Sequence, residues 1–286
     1  PEYSGTGKSN TTMRNDSEGH TLFELVIAMA LAAILITAIY QIHAVRLKSH
    51  VKQQLAVEMQ QNIRAAVSLM KREIRMAGYD PASTDGLDND GNTVIDNAEE
   101  SADTGIHIAG RNRIQFTFDN DADMTINSAE RVTYGYANKY DGNKDGIADA
   151  GAAPLGRQTG AGTLIPVAEN IQAVGFAYAF DNNNDGNLDT DNGTVNGNII
   201  WAFDADLTDG NDQLTTDLDT GLLLAVPVPL SNIRAVRIWI LARTRAPVRG
   251  HYDNRTYVVG DRKISSSDKH PRRLTRTTVY CRNTLL

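Results

Sequence analysis

An apolar run near the amino terminus constrains this chain more than any other feature. Residues 25–40 are almost all apolar. Leu22 and Phe23 extend the run to about 18 positions, close to the ~20 that a helix needs to cross a bilayer. Glu24 lies inside the amino-terminal edge of the run. Because an ionised carboxylate is costly at that depth, we expect Glu24 to have a function and a cationic partner.

Gly19 and His20 stand just before the run, after a short polar segment that contains Arg14. Cleavage after Gly19 would create a new α-amino group four residues before Glu24. Gly19, the apolar helix and the glutamate together resemble the amino-terminal signal of type IV pilins and pseudopilins. The resemblance implies that a prepilin peptidase cuts after Gly19, that His20 is N-methylated, and that Glu24 helps subunits into a filament.

A physical argument agrees with that resemblance. In a bundle of such helices, Glu24 of one subunit can neutralise the new amino terminus of another, which offsets two burial costs. A secretory signal peptide and an ordinary membrane anchor are the alternatives. A signal peptide has a shorter apolar core followed by a small-residue cleavage site, whereas here the helical pattern continues.

We divide the chain into three parts. Residues 1–19 are the leader, and we expect translation to start at Met13. Residues 20–78 are a helix with a transmembrane segment over 22–42, and Gly78 and Pro81 mark its end. Residues 79–286 are a periplasmic or extracellular domain. The second half of the helix has apolar residues at spacings of three and four, which predicts a stripe that packs on a sheet. A coiled coil is the alternative. The residues of the stripe are Leu47, Val51, Leu55, Met59, Ile63, Val67, Met70, Ile74 and Ala77.

Seven segments of the domain have the composition of strands. They are rich in β-branched or aromatic residues and are bounded by polar turn clusters. A long helix followed by antiparallel strands predicts an α+β fold, pilin-like in architecture, with the sheet on the helix stripe and Asp/Asn-rich loops. The predicted strands are Arg113–Phe118, Arg131–Ala137, Ile171–Phe180, Ile199–Phe203, Ala235–Arg243, Thr256–Val259 and Thr277–Arg282.

Several apolar sequence segments make the resemblance to pilins more specific. PVAENIQAVGFAYAFD, NIIWAFD, PLSNIRAVRIWILART and RRLTRTTVYCRN resemble minor pilins of the PilW type, and more distantly the J-type pseudopilin of type II secretion.

Charge is unevenly distributed along the chain. Residues 80–220 carry a net charge of −20, residues 1–79 carry +3, and residues 221–286 carry +10. We expect the acidic middle and the basic end to face each other or to attract counterions.

Four acidic loops have oxygen-bearing side chains at alternate positions, which is the pattern that wraps a calcium ion. Loops 1 and 2 have Glu at position 12 and lack the glycine at position 6, whereas loops 3 and 4 have that glycine and lack the Glu. Calcium takes 6–8 oxygen ligands, so loops 1 and 2, which offer the additional Glu, are the better candidate calcium sites. The candidate ligands are Asp88, Asp90, Asn92, Asp96 and Glu99 in loop 1; Asp119, Asp121, Asp123 and Glu130 in loop 2; Asp141, Asn143, Asp145 and Asp149 in loop 3; Asp181, Asn183, Asp185 and Asp189 in loop 4.

The alternative is that these loops are only turns, because Asn, Asp and Gly are also the residues that hairpin turns use. Their spacing is too irregular for a tandem calcium repeat. Strands instead of helices flank them, so we expect calcium loops at strand tips and no EF-hand pair.

Other chemistry has little support in the sequence. The GTGKS of Gly5–Ser9 fails as a phosphate loop because Glu2 takes the place of the first glycine. Cys281 is alone and is predicted to be buried. The histidines lack metal-ligand spacing, and no enzyme is predicted. The basic end, which includes Arg272, Arg273 and Arg276, is better explained by charge complementarity with the acidic middle or with a neighbouring subunit than by binding to DNA, so we expect no nucleic-acid partner.

We therefore expect a minor pilin that initiates or caps a type IV pilus. Its expected partners are other minor pilins and the major pilin through the helix, the prepilin peptidase, and the inner membrane. It would be a single-pass inner-membrane protein before assembly and part of a surface pilus afterwards. The alternatives are a minor pseudopilin of type II secretion and a calcium-dependent adhesive module at the pilus tip.

Overall fold

The computed structural model describes residues 21–81, 104–206 and 213–283. One α-helix, α1, spans Leu22–Met76. The chain forms two compact units, Pro1–Val51 and Lys52–Leu286. Gly78 follows α1 with a φ of 78°, which is the left-handed conformation that a glycine adopts after a helix.

The described residues of the second unit form twelve strands. Ten of them form one antiparallel sheet, and β10 and β11 form a separate hairpin. Strand β5 pairs with β4, β6 and β9, so one path runs β1-β2-β3-β4-β5-β9-β12 and another leaves β5 through β6, β7 and β8. The strands are β1 Gly105–Ala109, β2 Ile114–Thr117, β3 Arg131–Gly135, β4 Ala153–Thr159, β5 Ile165–Phe180, β6 Ala202–Phe203, β7 Gln213–Asp217, β8 Leu223–Pro229, β9 Ile233–Arg243, β10 Thr256–Val259, β11 Arg262–Ser265 and β12 Arg272–Tyr280.

The predicted α+β class is confirmed, and each of the seven predicted strands overlaps an observed one. Five strands were not predicted: β1, β4, β7, β8 and β11. Of these, β4 contains Pro154 and Gly156, and β8 contains two prolines. Such residues normally argue against a strand, and here pairing with neighbours overrides that preference.

The carboxyl-terminal half of α1 packs on the sheet, as its apolar stripe predicted. Within the second unit, Met59, Ile63, Met70 and Ile74 are buried in one apolar core with residues of the sheet. From Leu55 onward the stripe is covered by the chain's own strands, which excludes a coiled coil over that part of α1. Leu47 and Val51, the first two residues of the predicted stripe, are instead 57% and 56% exposed.

A buried polar contact fixes α1 to the sheet. Glu73 accepts a hydrogen bond from the hydroxyl of Tyr134 on β3 (2.5 Å) and pairs with the guanidinium of Arg157 on β4 (2.9 Å). Burial, followed by the hydrogen bond to Glu73, raises the pKa of Tyr134 well above its usual value. The hydroxyl therefore stays protonated as the donor in this contact.

The β10–β11 hairpin packs on β5 and β9. Gly175 of β5 makes this approach possible, since a Cβ there would lie 2.8 Å from Arg262 Nη2 and 3.1 Å from Val259 Cγ1. This contact explains why β9 is buried on both faces, although its sequence alternates.

Arg272 of β12 ties the segment around this hairpin to the sheet. Its guanidinium pairs with Asp253 (3.3 Å) and Asp268 (2.6 Å) and donates to Gln172 of β5 (2.6 Å). Burial raises the pKa of Asp253, but hydrogen bonds from Arg255 and Tyr257 outweigh it and bring the value to about 2. The hydrogen bonds from Arg272 also lower the pKa of Asp268, so both carboxylates remain ionised partners of Arg272 at neutral pH.

Cys281 is buried directly after β12, as predicted. Burial raises the pKa of its thiol to about 12. Since the thiolate is the reactive form, this cysteine is inert in the folded chain.

Candidate functional site

Thr21 and Glu24 form a reciprocal cap at the start of α1. The Thr21 N–H donates to Glu24 Oε2 (3.0 Å), and the Glu24 N–H donates to Thr21 Oγ1 (3.3 Å). This is the capping box of a Thr-x-x-Glu sequence, which satisfies backbone donors that a helix start leaves open. Glu24 therefore has a local role in helix initiation, which we did not predict although the Thr-x-x-Glu spacing signals it.

The segment Leu22–His43 is long and apolar enough to cross a membrane. It has 22 residues and a mean hydropathy of 2.6, and none of it is buried within the described chain. The hydroxyl of Thr37 donates to the Ala33 carbonyl (2.8 Å). Its polar group is thus satisfied inside the helix, as a hydrocarbon environment requires.

Two sets of predicted site residues lie outside the described residues. They are the cleavage pair Gly19 and His20, and the loop 1 ligands at positions 88, 90, 92, 96 and 99. Their roles stay predictions.

Loops 2 and 4 follow the ends of β2 and β5, loop 3 lies within the connection between β3 and β4, and all three share one conformation. In each, the first Asp is buried, and one of its oxygens accepts the N–H of the sixth residue. The fourth and sixth residues of each loop have positive φ: Ala122 (61°) and Met124 (66°), Lys144 (57°) and Gly146 (75°), Asn184 (55°) and Gly186 (82°). Met124 therefore adopts the turn for which a glycine would be expected.

Loop 2 brings three carboxylates together. One ligand oxygen each of Asp119, Asp123 and Glu130 lies within 4.8 Å of the other two. Asn127 caps a short 3-10 turn that ends at Glu130, and the Glu130 carboxylate accepts the N–H groups of Asn120 (2.6 Å) and Asn127 (2.9 Å). Three converging carboxylates are the ligand type that Ca²⁺ prefers.

In loops 3 and 4 the last Asp binds the loop's own backbone. Asp149 accepts the Gly142 N–H (2.9 Å), and Asp189 accepts the Asn182 N–H (3.2 Å). Burial raises the pKa of Asp189, with the nearby Asp181 and Asp185 charges adding to it, despite the opposing hydrogen bond from Asn182. In each of these two loops, the carboxylate at position 9 is thus hydrogen-bonded to the backbone at position 2.

Loop 3 also lies against a cationic side chain of the basic end. The Arg262 Nη2 group donates to the Val174 carbonyl (3.0 Å), and a Cβ on Gly146 would come within 2.2 Å of Arg262 Nη1. Burial lowers the pKa of Arg262, and the charge of its ion-pair partner Asp261 (3.3 Å) opposes this most, followed by Asp145 and Asp141. Arg262 is thus one point at which the basic end meets the acidic middle.

Comparison with known proteins agrees with the amino-terminal reading. Residues 14–40 match the family model described as the prokaryotic N-terminal methylation motif. The chain therefore carries the amino-terminal signal of type IV pilins, which covers Gly19, His20 and Glu24. No curated protein matches the chain in sequence.

A solved type IV-like pilin from Thermus thermophilus is similar to this chain. The two are 17% identical, and the match covers 79% of this chain and 98% of that one with a TM-score of 0.42. A similarity at this level carries no conclusion about function.

Proposed function

We propose that this chain is a minor pilin of the PilW type that initiates or caps a type IV pilus. The observation that carries the proposal is the methylation motif over residues 14–40, which runs directly into an apolar helix with exposed side chains. Such a helix is stable only in lipid or against other helices, because its apolar surface is unfavourable in water.

The proposed mechanism uses that helix twice. Before assembly, Leu22–His43 spans the inner membrane with the domain in the periplasm; its 22 residues reach about 33 Å at 1.5 Å per residue. After cleavage at Gly19 the helix enters a bundle with the helices of other pilins. There Glu24 meets the methylated amino terminus of a neighbour, which offsets the burial of both charges.

Substitutions at Gly19 and Glu24 test this mechanism at separate steps. Gly19→Leu is expected to leave the leader attached, because the larger side chain blocks the peptidase. Glu24→Ala is expected to be cleaved normally but to enter fibres at least ~10-fold less, since a buried amino terminus without its partner is strongly unfavourable. Mass spectrometry of the amino terminus and immunoblots of sheared fibres measure the two steps.

Glu58→Ala is the matched control, because Glu58 is also a helical glutamate but is 40% exposed and 3.8 Å from Arg245. It is expected to be processed and assembled like the parent. A parent protein that keeps its leader up to Gly19 beside an active prepilin peptidase would refute the proposal.

A minor pseudopilin of type II secretion would use the same signal and helix. Deletion of the gene separates the two, since loss of pili supports the pilus system and loss of secreted enzymes supports the secretion system.

The calcium prediction forms a second part of this proposal. Loop 2 is the favoured site because its three carboxylates converge, whereas loop 3 already has a guanidinium beside it. A bound cation would remove the repulsion among the Asp119, Asp123 and Glu130 charges and stabilise the β2–β3 connection. The adhesive alternative would further require that Asp181→Ala abolish surface binding while fibres still form.

We expect calcium to raise the melting temperature of the chain and EGTA to reverse the effect. Binding at a concentration 100 times Kd adds about 2.7 kcal/mol to the free energy of unfolding. Asp123→Asn should abolish the calcium-dependent shift, because it removes a ligand charge but retains an acceptor for the Thr125 N–H. Asp185→Asn, at the same position of loop 4, should retain it. Identical melting curves in calcium and in EGTA would mean that the loops are turns only.

A further inference from the structure

A groove with a volume of about 750 Å³ lies between α1 and β12. Ile63, Val67 and Met76 contribute its apolar floor, and Ser68 lies at its rim. Among the described residues no acidic side chain lines the groove. Five cationic side chains surround its floor: Arg64, Lys71, Arg72, Arg75 and Arg273.

These five cations are accessible to solvent in the part of the chain that the structure describes. Four of them are exposed and Lys71 is half-buried. None pairs with a carboxylate in the part of the chain that the structure describes. A concentration of one charge beside an apolar floor attracts an acidic surface that also has apolar side chains.

The β7–β8 hairpin has that composition. Asp219 is exposed in its turn and Asp217 is half-buried. Beside them, Leu222, Leu223 and Val226 are 68%, 78% and 64% exposed. Residues 220–230 contain no charged side chain. Exposed apolar side chains of this number next to an acidic turn are typical of an interaction surface.

The hairpin and the groove lie at opposite ends of the sheet. Strands β7, β6, β5 and β9 separate β8 from β12, so the two surfaces are placed to meet between molecules. Pro227 and Pro229 lack the N–H groups that a further strand would need. The hairpin is therefore suited to contact through side chains and not to sheet extension.

We propose that the groove between α1 and β12 of one molecule receives the β7–β8 hairpin of a second copy. Asp219 faces the groove cations, and Leu222, Leu223 and Val226 cover the apolar floor. Because the two surfaces differ, the contact is head-to-tail, and such contacts propagate in one direction unless they close into a ring. The inference goes beyond the proposed function, since it assigns a contact to the domain and does not use the apolar half of α1.

Disulfide cross-linking of the full chain in detergent tests the contact. Full-length Ser68→Cys and Leu223→Cys proteins, each with Cys281→Ser, are mixed and oxidised. The mixture is expected to yield a cross-linked dimer at least ten times more abundant than either variant alone, because a head-to-tail contact joins unlike surfaces. Ala161→Cys, an exposed position in the β4–β5 turn, replaces Leu223→Cys in the control and is expected to give no cross-link.

Charge reversal adds a second readout. Arg273→Glu in the Ser68→Cys chain, or Asp219→Arg in the Leu223→Cys chain, is expected to lower the yield about ten-fold, and the two together to restore it. Equal cross-linking by Ser68→Cys alone would indicate a groove-to-groove contact and overturn the proposal. Loss of binding to anionic vesicles by Arg273→Glu, without any cross-link in the mixture, would assign the groove to lipid and also overturn it. Cleavage after Gly19 is scored on the same proteins, so failure of this contact is distinguished from failure of the proposed function.

Discussion

Replacement of Glu73 by alanine is expected to lower the free energy of unfolding by roughly 3 kcal/mol, because breaking a buried ion pair leaves its partners uncompensated. Without the carboxylate, the Tyr134 hydroxyl loses its acceptor in a fully buried position, and the Arg157 guanidinium loses its counterion. Urea unfolding followed by circular dichroism measures the change.

Glu58→Ala is the control on the same helix. Glu58 and Arg245 are 40% and 63% exposed and 3.8 Å apart, and an exposed pair of this kind contributes at most about 1 kcal/mol. Equal losses for the two variants would show that burial of Glu73 is not what fixes α1 to the sheet.

Gly146→Ala is expected to destabilise the chain by roughly 3 kcal/mol, since a left-handed residue other than glycine costs 1–2 kcal/mol and overpacking costs a similar amount. A Cβ there would lie 2.2 Å from Arg262 Nη1 and 2.6 Å from the Val174 carbonyl oxygen. The carbonyl belongs to the centre of the sheet and cannot move away. Thermal unfolding of the variant gives the size of the loss.

Gly186→Ala is the matched variant in loop 4. Gly186 has almost the same φ, 82° against 75°, but no atom lies within 4 Å of its Cβ position. Only the conformational cost of roughly 1–2 kcal/mol should remain. If both variants lose the same stability, loop 3 does not pack against the β10–β11 hairpin as described.

Much of the helix could be read from the sequence. An apolar run of near-membrane length and a stripe at spacings of three and four are local patterns, and α1 spans Leu22–Met76 against the predicted 20–78. The strands with β-branched and aromatic residues were found for the same reason. In contrast, β7 (Gln213–Asp217) and β8 (Leu223–Pro229) have polar residues or prolines, and only their pairing partners make them strands.

The candidate sites, like the strands, could be predicted from the sequence only in part. Glu24 was found because a charge in an apolar run is unusual, but its partner Thr21 was missed. The first Asp of each loop was found from its spacing, whereas the positive φ of Met124 and the guanidinium beside Gly146 depend on contacts between distant residues. No spacing in the sequence relates Arg262 to loop 3.

By itself, the sequence determined the apolar helix, the methylation motif, the α+β class and the alternation of oxygen-bearing residues in the acidic loops, because each depends on residues close together along the chain. The tertiary structure decided which carboxylates converge, which glutamate of α1 is buried, and where a basic groove faces solvent. These depend on the order in which strands pair, and that order brings together residues such as Glu73 and Arg157, 84 positions apart.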